Sequence, residues 1–196
     1  LNFKQAWALR MPKAAVWPAV LLLIPATNIM GIGIFRLASL VIPVPTQVLE
    51  QFAQSIMPKE LSAWQMILFL AILPGICEEL AFRGTLLYGL RRRFSPVVLA
   101  IAVGIIFGFF HISYFRIIPT GFLGIILTTL ALLTGSIFPG IVLHIGNNAF
   151  AYLASVQHLP IAKLEWWTYL IAAAVFAFCI HIIYRNRTPY PDLRSH

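Results

Sequence analysis

Charged residues are scarce in this 196-residue chain, at 10% of the composition, while 60% of the residues are hydrophobic. The mean hydropathy is +0.88. An ordinary soluble domain is roughly 25% charged. The shortage of charge therefore excludes a disordered chain, a collagen-like chain and an ordinary soluble enzyme. It predicts an integral membrane protein of one domain, or two at most.

Cysteine is also rare. The two cysteines, Cys77 and Cys179, lie in apolar runs without CxxC spacing, which excludes a disulfide framework and a zinc knuckle. The net charge of +8 could indicate nucleic acid, but the basic residues form short clusters between apolar stretches rather than a stripe interleaved with aromatics. That placement is typical of the positive anchors that flank membrane spans. We therefore expect no nucleic-acid partner.

Apolar stretches are abundant and nearly fill the chain. A membrane-spanning helix needs about 20 mostly apolar residues. Six stretches meet or approach this length: Ala14–Phe35, Ala63–Leu90 with an interruption at Pro74-Gly75, Ser95–Ile112, Ile117–Leu133, Ser136–Ala154 and Trp166–Tyr184. The sequence thus predicts an all-α, polytopic transmembrane bundle of about six spans. Residues 37–62 are predicted to be a loop with a short amphipathic helix over Thr46–Met57.

The basic residues predict the orientation of this bundle. With six spans, three Lys/Arg fall on one side: Lys59, Arg116 and Lys163. Nine fall on the other: Lys4, Arg10, Lys13, Arg91, Arg92, Arg93, Arg185, Arg187 and Arg194. By the positive-inside rule both termini are cytoplasmic, in the plasma membrane if the chain is bacterial. A re-entrant helix at the short, uncharged turn 134–136 would change this count.

Ionisable residues inside spans are costly and indicate function by default. The second predicted span carries Glu78, Glu79 and Arg83 near its middle. Glu79 and Arg83 are spaced i,i+4 and can pair on a helix. Glu78 points about 100° away and is left available for chemistry. A purely structural ion pair would explain Glu79 and Arg83 but not Glu78.

Two further spans carry polar residues at a similar depth. His111 ends the third span, and His144 and Asn148 share one face of the fifth. Taken singly, each has an ordinary explanation, as a hydrogen-bonded core histidine or as a hydrogen bond between helices. At 1.5 Å per residue, these residues and Glu78 lie roughly 12 to 25 Å from the cytoplasmic ends of their spans. We therefore expect them to converge inside the membrane.

Three motifs in this order carry a family resemblance. They are Glu78-Glu79-x-x-x-Arg83, Phe107-x-x-x-His111 and His144-x-x-x-Asn148. They resemble the EExxxR, FxxxH and HxxxN motifs of the CPBP family, the CAAX proteases and bacteriocin-processing enzymes, also called Abi. The resemblance covers roughly residues 63–154, and no motif position departs from the family pattern.

The resemblance implies an intramembrane endopeptidase of the type II CAAX prenyl protease kind. In such an enzyme Glu78 and His111 would activate a water molecule, and His144 and Asn148 would form the oxyanion hole. Peptide hydrolysis needs such a base, a water and donors at the developing oxyanion. The implied substrate is a membrane protein or peptide within the lipid bilayer. The resemblance does not say whether the substrate is prenylated.

The resemblance also implies a division of the chain into three segments. Glu79 and Arg83 would hold the site in shape, within a CPBP-like catalytic core over residues 63–155. Residues 1–62 would be an N-terminal span and loop, which could include a linker from a longer chain because the first residue is Leu. Residues 156–196 would be the last span and a cytoplasmic tail.

Several alternatives remain open from the sequence. Glu78, His111 and His144 could form a His₂Glu zinc site, although a glutamate mechanism without a cofactor is favoured. A cysteine mechanism through Cys77 is less favoured still. The alternative function is a non-catalytic immunity protein, or a membrane protein fused to or associated with an ABC transporter permease. Such a role predicts that Glu78 can be replaced without loss of function.

Overall fold

The computed structural model describes residue 4 and residues 7–56, 61–157, 164–188 and 190, and these residues form helices and connecting segments with no strand among them. The seven helices are α1 Val16–Val41, α2 Thr46–Ile56, α3 Ala63–Leu90, α4 Pro96–Phe110, α5 Ile117–Thr134, α6 Phe138–Val156 and α7 Trp166–Arg185. The predicted amphipathic helix is present as α2, and Met57, its expected last residue, lies outside the described residues.

Four of the helices, α1, α3, α5 and α7, are long and apolar enough to cross a membrane. Helix α4 is apolar but has only 15 residues, and α6 has 19 and carries His144, Asn147 and Asn148. Large apolar side chains such as Leu22, Ile101 and Phe178 are exposed on the surface of the bundle. A surface of this kind is matched to lipid rather than water. The predicted all-helical membrane bundle is confirmed, while the number of crossings stays a prediction.

Helix α3 corrects one sequence expectation, because it runs through Pro74-Gly75 without interruption. A π-helical segment, Leu68–Ile72, precedes the proline, and a second one, Leu80–Leu86, follows Glu79. Proline lacks an N–H and its ring crowds the preceding turn. The wider π turn just before Pro74 absorbs this defect without ending the helix. The second π segment contains Arg83.

Helices α4 and α5 approach closely through glycine. A Cβ atom on Gly124 would lie 2.9 Å from the Cα of Gly104, and one on Gly108 would lie 2.5 Å from the Ile117 carbonyl oxygen. Small residues at such contacts let membrane helices pack backbone to backbone. This contact fixes the end of α4, and with it the position of His111, against the first turn of α5.

The turn between α5 and α6 is tight, as the sequence predicts at residues 134–136. Gly135 ends α5 in the left-handed region (φ 58°), a conformation that side chains with a Cβ rarely adopt. Nε of Arg10 donates to the Gly135 carbonyl oxygen (2.6 Å), and the Thr188 N–H donates to the Leu133 carbonyl oxygen (2.8 Å). The segments that flank the bundle in sequence therefore meet at this end.

Candidate active site

The predicted ion pair between Glu79 and Arg83 is present and fully buried. Nη1 of Arg83 donates to Oε1 of Glu79 at 2.8 Å, and both side chains are 0% exposed. The guanidinium also donates to the Gly124 carbonyl oxygen (2.8 Å) and to Oγ1 of Thr128 (3.3 Å). A buried charge needs a partner and further hydrogen bonds, and Arg83 has both. The pair thereby fastens α3 to α5.

His144 lies between the two glutamates. Its Nδ1 donates to Oε1 of Glu79 (3.1 Å), and its Nε2 lies 3.7 Å from Oε2 of Glu78. The histidine is 2% exposed. A carboxylate only accepts hydrogen bonds, so the contact with Glu79 places a proton on Nδ1 and turns Nε2 toward Glu78. The imidazole therefore links the buried ion pair to the second, more accessible carboxylate.

A cavity of about 480 Å³ opens beside Glu78. Its polar wall contains Glu78, His111, Arg116 and Asn148. The remaining wall is mostly apolar and is formed by Phe52, Ala53, Ile56, Phe69, Leu70, Pro74, Ala151, Tyr152 and Ser155. The Glu78 side chain is 23% exposed, whereas the Glu79 side chain is fully buried. The two adjacent carboxylates thus face different surroundings, as their helical directions predict.

Phe107 and His111 form a unit at the end of α4. Nδ1 of His111 donates to the Phe107 carbonyl oxygen (2.9 Å), because a carbonyl only accepts. In the neutral ring this leaves Nε2 with a lone pair for another partner. The Phe107 ring packs edge-on against the rings of His111 and His144, with centroids 4.9 and 5.6 Å apart, and lies 4.6 Å from Cζ of Arg83. Phe107 therefore holds both histidines in place.

The structure brings three of the candidate site residues, Glu78, His111 and Asn148, to one cavity. His144 shares a helix face with Asn148 but lies behind Glu78, outside the cavity wall. Asn147 packs between helices, with its Nδ2 donating to the Leu143 carbonyl oxygen and to Thr27 (both 3.0 Å). The catalytic roles of these residues stay predictions.

Sequence reasoning missed Arg116 and Phe52 as parts of the cavity wall. The sequence marks Arg116 only as a loop charge and Phe52 only as part of an amphipathic helix. Cζ of Arg116 lies 5.1 Å from the centroid of the Phe52 ring. The apolar spacing of Phe52, Ala53 and Ile56 was the available signal, since it gave α2 one face to bury.

The zinc alternative gains no support from this arrangement. Among the residues that the structure describes, no group of three or more His, Cys, Asp or Glu side chains is placed to hold a metal ion. Catalytic zinc sites use three protein ligands around one position. Cys77, the alternative nucleophile, is exposed on α3 and does not line the cavity. Neither alternative gains support from the placement of its residues.

Gly140 provides a test of how tightly Glu79 is held. A Cβ atom at this position would lie 2.7 Å from Oε2 of Glu79, whose other oxygen is fixed by Arg83 and His144. We expect Gly140→Ala to lower the free energy of unfolding by about 1–3 kcal/mol, the usual cost of overpacking. Thermal unfolding in detergent would measure the loss of stability, and the rate of peptide cleavage would be measured on the same samples.

The matched control is Gly89→Ala, because a Cβ on Gly89 meets nothing within 4 Å. In a helix that change should be neutral or slightly stabilising. Equal stability and activity of the two variants would show that Glu79 moves freely.

The fold and the site together define a helical membrane protein with a polar, carboxylate-containing cavity inside the bundle. Residues 60–150, slightly less than half of the chain, match a family model described as "Type II CAAX prenyl endopeptidase Rce1-like". The match spans all three motifs. It confirms that this segment resembles the CAAX-type intramembrane proteases. No curated protein and no solved structure matches the chain.

Proposed function

We propose that this protein is an intramembrane endopeptidase that hydrolyses a peptide bond by a glutamate-activated water. The observation that carries the proposal is the cavity wall shared by Glu78, His111 and Asn148. These residues supply a base, a second water-binding group and an amide donor within one space. The volume of about 480 Å³ lies within the usual range of ligand sites, roughly 300–1,000 Å³.

In the proposed reaction, the Glu78 carboxylate takes a proton from a water molecule that Nε2 of His111 holds by accepting its other hydrogen bond. The resulting hydroxide attacks the carbonyl carbon of the scissile bond. The side-chain N–H of Asn148 stabilises the oxyanion that forms. When the C–N bond breaks, Glu78 returns its proton to the leaving amine, so the enzyme ends in its starting state.

His144 supports Glu78 in this proposal. Its position behind Glu78, outside the cavity wall, favours a positioning role over the direct oxyanion contact implied by the family resemblance. Glu79 accepts a hydrogen bond from Nδ1 of His144, and this contact fixes Nε2 as the ring nitrogen that points toward Glu78. Arg83 in turn holds Glu79. The buried pair thus orients the base through one histidine.

The substrate we propose is a membrane protein or peptide that reaches the cavity from within or beside the bilayer. The family match supports a CAAX-type protease and the apolar helices support a membrane location. The test is peptide cleavage by the purified chain in nanodiscs, with a mixed peptide library read by mass spectrometry. Absence of any cleavage would favour the non-catalytic immunity or permease-associated role.

The same assay tests the proposal that no metal takes part. We expect the cleavage rate to be unchanged after treatment with EDTA and with 1,10-phenanthroline, because the mechanism uses only side chains and water. A chelator-sensitive zinc protease assayed in the same buffer is the control. Loss of cleavage that is restored by added zinc would overturn the glutamate mechanism in favour of the His₂Glu site.

A further inference from the structure

We propose that Arg116 is a specificity-determining residue of the cavity, and that its guanidinium binds a carboxylate of the substrate peptide. The inference rests on the proposed function, because it concerns the peptide that Glu78 would hydrolyse. It adds the chemical class of the group that the cavity recognises. Arg116 belongs to none of the three sequence motifs, so the family resemblance assigns it no role.

Arg116 supplies the positive charge of the cavity wall. Among the described residues that line the cavity, it is the only lysine or arginine, and Glu78 is the only carboxylate. The two side chains attract each other electrostatically, but in the described part of the chain they form no ion pair with each other. A cationic and an anionic group therefore face one mostly apolar space, and each is left to bind a ligand of its own.

The backbone of Arg116 is fixed where α5 begins. Its N–H donates to the Ser113 carbonyl oxygen (2.8 Å), and its own carbonyl oxygen accepts from the N–H (2.9 Å) and from Oγ1 (2.7 Å) of Thr120. The close contact between Gly108 and the Ile117 carbonyl oxygen holds the same turn against α4. The protein itself therefore sets the position from which the Arg116 side chain extends.

The guanidinium is held against an aromatic ring of α2. Cζ of Arg116 lies 5.1 Å from the centroid of the Phe52 ring, and this ring packs edge-on against Phe115, with centroids 5.3 Å apart. A stacked guanidinium is attracted through its face and keeps the N–H groups at its edge for other partners. Phe52 thus orients the side chain without using its hydrogen-bond donors.

These donors are unused within the part of the chain that the structure describes. There the Arg116 side chain donates no hydrogen bond and pairs with no carboxylate, whereas Arg36 donates to the Tyr169 hydroxyl and to the Leu164 carbonyl oxygen. Arg116 is half-buried. A guanidinium that is partly removed from water needs charge-assisted partners, and a carboxylate matches two of its parallel N–H groups. A peptide brings such a group either at its C-terminus or on an Asp or Glu side chain.

A carboxylate bound at Arg116 would fix the register of the peptide in the cavity. Near Glu78 the same group would meet a like charge, which is unfavourable in a confined space. The acidic group is therefore accepted at one part of the wall and rejected at the other. The bond presented to Glu78 then lies a constant number of residues from the bound carboxylate.

The experiment compares the binding of three peptides with one apolar sequence to the full chain in phosphatidylcholine nanodiscs. The first peptide has a free C-terminal carboxylate, the second is its C-terminal amide, and the third is that amide with one internal glutamate. Each carries an uncharged fluorophore, and fluorescence anisotropy gives its Kd after subtraction of binding to empty nanodiscs. Mass spectrometry of the same samples reports any hydrolysis.

We expect the parent to bind one or both acidic peptides about ten- to a hundredfold more tightly than the plain amide, the usual effect of a charge-assisted hydrogen bond. Arg116→Gln should remove this preference. Arg116→Lys should keep only part of it, because lysine keeps the charge but not the planar fork. Arg93→Gln, at an exposed position outside the cavity wall, is the control and should keep all of it. The acidic peptide that binds distinguishes a C-terminal carboxylate from a side-chain one.

Equal binding of all three peptides by the parent would overturn the inference, and so would a preference that survives in Arg116→Gln. If Arg116→Gln does not fold, an undiminished preference in Arg116→Lys would overturn it instead. The binding assay requires no hydrolysis. A preference for acidic peptides without cleavage of any peptide would remove the endopeptidase and keep the carboxylate site, whereas cleavage without such a preference would do the reverse.

Discussion

Glu78→Gln is expected to lower the rate of peptide hydrolysis by about two to four orders of magnitude, the usual contribution of a general base. Glutamine keeps the shape of the side chain but cannot take a proton from water. The Glu78 side chain is 23% exposed, and Arg83 forms its ion pair with Glu79, so the change leaves the buried ion pair in place. We therefore expect thermal unfolding and detergent monodispersity to stay unchanged.

The measurement is kcat/KM in nanodiscs, on the peptide that the library assay selects. The matched control is Cys77→Ser, the preceding residue, which is exposed and does not line the cavity. Full activity of Cys77→Ser together with loss of activity in Glu78→Gln would show that the Glu78 carboxylate itself is required, and not the local structure around it. Retained hydrolysis in Glu78→Gln would show that Glu78 is not the general base. Loss of folded protein would instead assign Glu78 a structural role.

Arg83→Met should have the largest effect on stability, a decrease of about 3–5 kcal/mol in the free energy of unfolding. The change leaves Glu79 buried at 0% exposure without its charged partner. It also leaves the Gly124 carbonyl oxygen without the guanidinium N–H, although Oγ1 of Thr128 still donates to it. The cost comes chiefly from the uncompensated carboxylate, not from lost packing.

The double variant Glu79→Gln with Arg83→Met tests that reason. Removing both charges should recover part of the stability, because no buried charge is then left without a partner. Unfolding by denaturant in detergent would measure all variants. Arg93→Met, at an exposed position, is the control and should stay within about 0.5 kcal/mol of the parent. A similarly small change in Arg83→Met would show that the pair adds little to stability.

The local features of the site were predictable from the sequence. The Glu79–Arg83 pair follows from i,i+4 spacing on one helix, and the divergence of Glu78 follows from the helical angle between neighbours. The tight turn at Gly135 follows from a glycine between two apolar runs. The membrane class follows from composition, since so few charges cannot cover a water-facing surface of this size.

The features that join distant segments were not predictable. His144 lies 65 positions from Glu79 in the chain, and its contact with both glutamates depends on how α6 packs against α3. The inclusion of Arg116 and Phe52 in the cavity wall depends on how α2 and the connection after α4 pack against the other helices. The continuous α3 was also not predicted, because the π turn before Pro74 compensates locally for a proline that periodicity alone marks as a break.

By itself, then, the sequence determined the class of protein, the family resemblance of the segment 60–150 and the buried ion pair, because each depends on composition or on residues within one helical turn. Only the tertiary structure decided that His111 and Asn148 share one cavity with Glu78, and that His144 lies behind Glu78 in contact with Glu79. These depend on contacts between helices, and the free energy of such contacts comes from the fit of surfaces that are far apart in the chain.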